Sequence, residues 1–131
     1  MNLENYTNTY NKRWINSIQN KDDNILVFNN PLNQVEFFYL NYNKIIETII
    51  KKETNKNLEI LEIGCGRGTA SLYIKVNNPE HNLNLLDFSE KAIDIAKKNF
   101  KSLKQKANFF VSDLNNFNNQ KKFDLIISLG V

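Results

Sequence analysis

Residues 61 to 69 read LEIGCGRGT, placing one carboxylate, Glu62, inside an apolar run and glycines at positions 64, 66 and 68. Glycine leaves no Cβ in the way and enters left-handed conformations freely, so such a loop suits a ligand that lies directly against the backbone. Three chemistries use it: dinucleotide binding, phosphate cradling, and binding of a nucleoside that carries no phosphate. A Walker loop is excluded because no Gly-Lys-Ser/Thr follows the glycines. The dinucleotide fingerprint Gly-x-Gly-x-x-Gly begins in the same way, and Asp87, about twenty residues further on, fits an acidic ribose acceptor. Its third glycine would fall at position 69, which is Thr69. The spacing here is Gly-x-Gly-x-Gly, with Glu62 two residues ahead of the first glycine.

The other chemically capable side chains read as structural. Cys65, the single cysteine, has no base placed beside it and suits a small packing residue in the loop. His81 follows Asn78-Pro79-Glu80 and reads as a surface histidine in a turn. The lysines from Lys97 to Lys106 read as a solvated helix end, not a nucleic-acid patch. No catalytic base and no metal ligand set stand out.

The elements that must carry the loop follow from periodicity. The chain has 131 residues, enough for one domain with a real core. Its 17 Lys and Arg against 14 Asp and Glu leave a formal charge of +3, too mild to select a nucleic-acid partner. No apolar run is long enough to span a membrane and the first residues lack the apolar centre of a signal peptide, so a soluble, cytoplasmic protein is the expectation. Tyr6, Tyr10, Trp14 and Ile18 recur at steps of four, a helical stripe that suits core packing. Val35, Phe38, Tyr42, Ile45, Ile46 and Ile49 predict an amphipathic helix from about residue 33 to 52, with Lys51 and Lys52 at its C-terminus. Beyond residue 57 short apolar strands alternate with helices, which predicts a parallel sheet. The strands are expected at 58–63, 83–87, 107–113 and 123–129, and the helices at 69–76 and 89–103. In the second helix Ser89 is the expected cap and Ala92, Ile93, Ala96, Phe100 and Leu103 the buried face. The glycine loop then leaves the carboxyl end of the first strand, where open parallel sheets bind ligands.

Four segments in order, LEIGCGRGT, LLDFSEKAI, FVSDLNNF and FDLIISLGV, resemble the successive motifs of Rossmann-like S-adenosylmethionine-dependent methyltransferases. The resemblance covers about residues 58 to 131. It implies an α/β fold, a Rossmann-like doubly wound and mostly parallel sheet, here about four strands, with an N-terminal helical extension over 1–56 and a cofactor-binding core over 57–131. It also implies S-adenosylmethionine as cofactor. By the resemblance, the backbone from Glu62 through Ile63, Gly64, Cys65 and Gly66 to Gly68 holds the amino acid portion, with Glu62 favourable towards its ammonium and sulfonium charges. Asp87 accepts from the ribose hydroxyls, Phe88 packs near the adenine, and Ser112, Asp113 and Leu114 border the adenine ring. Ser128, Leu129 and Gly130 would border the methyl group.

The implied reaction is methyl transfer to an unidentified acceptor, expected to be a small molecule because no nucleic-acid module or strongly basic face stands out. The family sheet usually carries further strands, so FDLIISLGV is expected at an exposed edge, as in a truncated chain or one half of a split protein. A non-catalytic module completed by a partner chain, or self-association through that edge, is the alternative. A dehydrogenase half is disfavoured by Thr69 and Glu62.

Overall fold

The computed structural model describes residues 8, 37–52 and 57–129. The stripe of Tyr6, Tyr10, Trp14 and Ile18 lies outside them, as do Val35, Gly130 and Val131. Among the described residues the order is α1 (Phe37–Lys52), β1 (Glu59–Ile63), α2 (Thr69–Asn77), β2 (Asn82–Asp87), α3 (Glu90–Ser102), β3 (Asn108–Val111) and β4 (Leu125–Ile127). The strands form one parallel sheet in the order β3-β2-β1-β4.

Register puts Ile60, Glu62, Leu83, Leu85, Phe109, Leu125 and Ile127 on one face of the sheet. That face carries the core: Ile46 and Ile50 of α1, Leu72 and Ile74 of α2, and Ile93, Ala96 and Phe100 of α3 cluster with Ile60, Leu83, Leu85 and Ile127. Leu61, Asn84 and Leu86, on the opposite face, are buried too. The expected α1 stripe is met at Ile46, buried together with Ile50, but not at Ile45 and Ile49, which are exposed. Positions four apart share a helical face, so the buried line runs one residue beyond the expected Ile45–Ile49 pair.

α3 is built as its sequence asks. The Ser89 hydroxyl accepts from the Ala92 amide at 3.3 Å, and Ala92, Ile93, Ala96 and Phe100 are buried, with Leu103 packed against the core. Its end is less ordinary. Lys104 takes φ 53°, its amide donates to Lys101 O and the Gln105 amide to Phe100 O, the helix-closing turn in which glycine is the usual residue. A lysine in that left-handed conformation costs about 1–2 kcal/mol relative to glycine.

The sheet order places the site. From β1 the chain moves outward to β2 and β3, then returns to the other side of β1 for β4, so strand order reverses between β1 and β4. The crevice beside such a reversal, at the carboxyl ends of the strands, is where ligands bind in open α/β sheets. β4 is anchored at its start by a reciprocal pair: the Glu59 amide donates to the Asp124 carboxylate and the Asp124 amide to Glu59 O, each at 2.8 Å. β4 lies at the sheet edge, paired with β1 among the described residues, and Ile126 is 56% exposed.

Candidate cofactor site

Gly64, Gly66 and Gly68 all adopt left-handed backbone, with φ of 67°, 54° and 73°. A non-glycine residue would be strained at each of them. The loop is tied to the neighbouring strand. The amides of Gly64 and Cys65 both donate to Leu86 O, at 2.8 and 3.1 Å, and the Gly66 amide donates to Asp87 Oδ2 at 2.9 Å. Gly68 leads directly into α2, whose first turn it helps close through Leu72 N to Gly68 O at 2.9 Å. A Cβ at Gly68 would meet Leu85 Cδ2 at 2.8 Å and Ala96 Cβ at 3.2 Å. The third glycine is therefore a packing position between loop, sheet and α3, whereas Gly66 sits against the carboxylate at the end of β2.

Asp87 is buried and organises the site. Its Oδ1 accepts from the Ser89 amide at 2.9 Å while its Oδ2 holds Gly66. An ionised carboxylate has about four acceptor positions, so this arrangement leaves one on each oxygen for a pair of ligand hydroxyls. The helix-entry role and a ribose role coexist on one side chain. Phe88 follows, half-buried, and the Ser112 amide donates to Asp87 O at 3.0 Å, joining the end of β3 to the same cluster.

Glu62 is 3% exposed, beneath the start of α2, where its Oε2 accepts from the Ser71 amide at 3.2 Å and from the Ser71 hydroxyl. Burial pushes its carboxyl up to about 7; the two Ser71 bonds counter this, and the Asp87 charge adds to the rise. Burial also pushes the Cys65 thiol well above its ordinary range, so Cys65 is a packing residue and not a nucleophile.

Asp113 is engaged locally. Its Oδ1 accepts from the Asn115 amide at 2.6 Å and the Asn116 amide at 3.3 Å, and its Oδ2 from Asn116 Nδ2. Leu114 is exposed beside it. Ser128, exposed, and Leu129, half-buried, continue from Ile127, which pairs with Glu62. Hydrogen bonds and register thus bring Glu62, Ile63, the glycine loop, Asp87, Phe88 and Ser112 together and set the β4 end beside them. Asp113 and Leu114 stand at the rim of the cluster.

Two residues of the site escaped the sequence reading. Ser71 holds Glu62, and Asn99, fully buried in α3, donates from Nδ2 to Arg67 O at 3.0 Å. A signal for Asn99 existed, a lone amide three residues beyond Ala96 on the apolar stripe. His81 needs correction. It is 4% exposed, not on the surface, and its Nδ1 accepts from the Leu58 amide at 3.1 Å, tying the turn before β2 to the entry of β1. Among the described residues no cluster of three His, Cys, Asp or Glu is placed to hold a metal, and no helix is long and apolar enough to cross a membrane.

Comparison with known families supplies the name of this arrangement. The methyltransferase small domain family matches residues 42–129. The chain belongs to that family. It is 39% identical over 75 residues to malonyl-[acyl-carrier protein] O-methyltransferase 1 of Ilyobacter polytropus, an overlap of 57% of this chain and 28% of that protein. It is 30% identical over 135 residues to ribosomal RNA small subunit methyltransferase G of Mesomycoplasma hyopneumoniae, which spans 99% of this chain and 62% of that one. Among solved structures it resembles the plantazolicin methyltransferase BpumL in complex with SAH, with TM-score 0.60, 25% identity, and 95% of this chain aligned to 49% of the other. The chain therefore spans between about a quarter and two thirds of these proteins, and it shares the Rossmann-like methyltransferase fold with the solved structure.

Proposed function

We propose that this chain forms the cofactor-binding part of an S-adenosylmethionine-dependent methyltransferase. The observation that carries the reading is the Asp87 carboxylate, held by the Gly66 and Ser89 amides with one acceptor position left on each oxygen, at the strand-order reversal of a methyltransferase small domain. A structural neighbour crystallised with SAH supports the cofactor assignment.

When bound, S-adenosylmethionine supplies a methyl group already activated on a sulfonium. The work of this chain is therefore to bind and orient. Asp87 accepts from the ribose hydroxyls through charge-assisted bonds. The glycine loop gives the amino acid portion direct access to backbone, and Glu62, ionised, offsets positive charge on the ligand. Ser112, Asp113 and Leu114 border the adenine, Asp113 chiefly by shaping the turn, since its carboxylate already takes backbone and Asn116 donors. Ser128 and Leu129, at the end of β4, would border the methyl group, and alignment would supply much of the catalysis.

A small-molecule acceptor is the reading carried forward from the sequence. Support comes from the likeness to the plantazolicin methyltransferase. The relatives' names also include a carrier protein and ribosomal RNA as targets of those enzymes.

The test is calorimetric titration of the chain with S-adenosylmethionine and with NADH, alongside Asp87→Ala. Binding of S-adenosylmethionine that the folded Asp87→Ala chain loses at least tenfold is the expected result. NADH binding that the same change weakens would overturn it in favour of a dehydrogenase half.

A further inference from the structure

The lysines of the α3 end are exposed, and several of them border one concave surface. Lys97, Lys101, Lys104 and Lys106, joined by Lys75 from α2, line one open groove of about 990 Å³ with Asn82, Leu83, Phe109 and neighbours. The groove lies where β2 and β3 begin, the opposite end of the sheet from the glycine loop and Asp87, roughly 20 Å away for a six-residue strand. It is therefore separate from the cofactor site.

Its charge is one-sided. Among the described residues no carboxylate lines it. The ion pairs of His81 with Glu80 and of Lys121 with Glu59 do not use a groove lysine. Lys75 is held in place by Pro79 O and His81 O, each at 2.7 Å. The C-terminal ends of α2 and α3 return about half a negative charge each, well short of offsetting the lysines. Lys97 and Lys101 stand one turn apart at the end of α3, about 6 Å along the axis, and Lys104 follows in the closing turn. Lys104 keeps its position in a left-handed backbone conformation where glycine would relieve strain. On the floor, half-buried Phe109 stands edge-on to Phe100 with ring centroids 5.4 Å apart.

A cationic groove with an aromatic floor is the arrangement by which proteins hold single-stranded nucleic acid, lysines tracking phosphates and rings stacking bases. An acidic protein surface would use the charge but not the ring. We propose that this groove docks single-stranded RNA through its phosphodiester backbone, as a tether distant from the methyl-transfer centre. The inference does not depend on the methyl-transfer reading.

The experiment is fluorescence anisotropy of a labelled oligouridylate about a dozen nucleotides long, titrated with the chain at several salt concentrations. S-adenosylmethionine binding is measured on the same samples, so that loss of the remote site and loss of the groove are read separately. Saturable binding is expected that weakens steeply with salt, and Lys97→Glu/Lys101→Glu/Lys104→Glu together should lower affinity at least tenfold and reduce the log-log salt slope by about 2. Lys104→Gly should raise the melting temperature yet weaken RNA, which separates docking from folding. The proposal is overturned by no saturable binding by a folded chain, by an unchanged affinity in the triple variant, or by a polyglutamate of equal charge binding as tightly as the RNA. Displacement by inorganic phosphate at the same phosphate concentration would also overturn it, as the mark of a free-anion site.

Discussion

The side chain of Asn99 reaches from the middle of α3 to the carbonyl of Arg67, 32 positions earlier, and donates to it at 3.0 Å. Its Oδ1 is buried with no hydrogen-bond partner. One amide thus fixes the turn of the glycine loop while carrying an unmet acceptor of its own. Asn99→Leu removes both: the loop carbonyl loses its buried donor at about 1–3 kcal/mol, partly offset by removal of the orphaned oxygen. The expected outcome is a modest fall in urea stability with a larger, at least several-fold, fall in S-adenosylmethionine affinity by calorimetry. Unchanged affinity would show that Arg67 O needs no tether.

Gly68→Ala is expected to be harsher than its size suggests. The new methyl is strained by the left-handed backbone and overlaps Leu85 and Ala96, together about 2–4 kcal/mol. Thermal or urea denaturation reads this directly, and stability within a few tenths of wild type would mean that the loop can move away from α3.

Glu62 sets a pH dependence. Its carboxyl lies at about 7 in the folded chain against an ordinary 4.5, so between those values the folded chain holds a proton that the unfolded chain has lost. Stability from this group therefore falls as pH rises through that window, by about 3 kcal/mol in all, and levels off above it. Glu62→Gln, which keeps an acceptor for Ser71, should remove that slope in urea titrations at pH 5 and pH 7.5. A cationic ligand favours the ionised form, so S-adenosylmethionine should bind more tightly at pH 8 than at pH 5.5 in the wild type, with proton release at the lower pH. The same slope in wild type and Glu62→Gln would assign it to other groups.

His81→Ala leaves the buried Leu58 amide without its acceptor and opens a cavity beside the first residues of β1. A loss of at least about 1–3 kcal/mol in chemical denaturation is expected from the unmet donor alone. A surface histidine would change stability by less than about half a kcal/mol, so the measurement decides between the two placements.

Periodicity and punctuation were enough to place the core elements of residues 57 to 129. β1, α2, β2 and α3 lie within a residue or so of their expected bounds because their apolar runs are short, regular and closed by Ser89, Asn78-Pro79 or glycine. β3 and β4 came out shorter than expected, Asn108–Val111 and Leu125–Ile127, since an edge strand lasts only as long as its single neighbour pairs with it. Glu62, Asp87 and Ser89 were legible among the buried polar residues, but the partners of Asn84, Asn99 and His81 were not. The partners of Asn84, Asn99 and His81 are Ile60 O, Arg67 O and the Leu58 amide, 24, 32 and 23 positions away in sequence. The grouping of the lysines was not legible for the same reason: Lys75 and Lys106 line the same groove as the α3 lysines only once the sheet is assembled. For the site, the motif marked the loop and Asp87, but not that the two are bonded to each other.

That bonding ties the lifetime of the site to that of the sheet. Gly64 and Cys65 spend their amide hydrogens on Leu86 O, and Gly66 spends its own on Asp87, so these three amides close only on β2, while the Gly68 amide bonds Cys65 O within the loop. These three amides should exchange with deuterium at rates set by separation of β1 from β2, as slowly as the strand interior and unlike a surface turn. A cofactor pocket of this kind does not breathe open locally; it is lost when the two strands part.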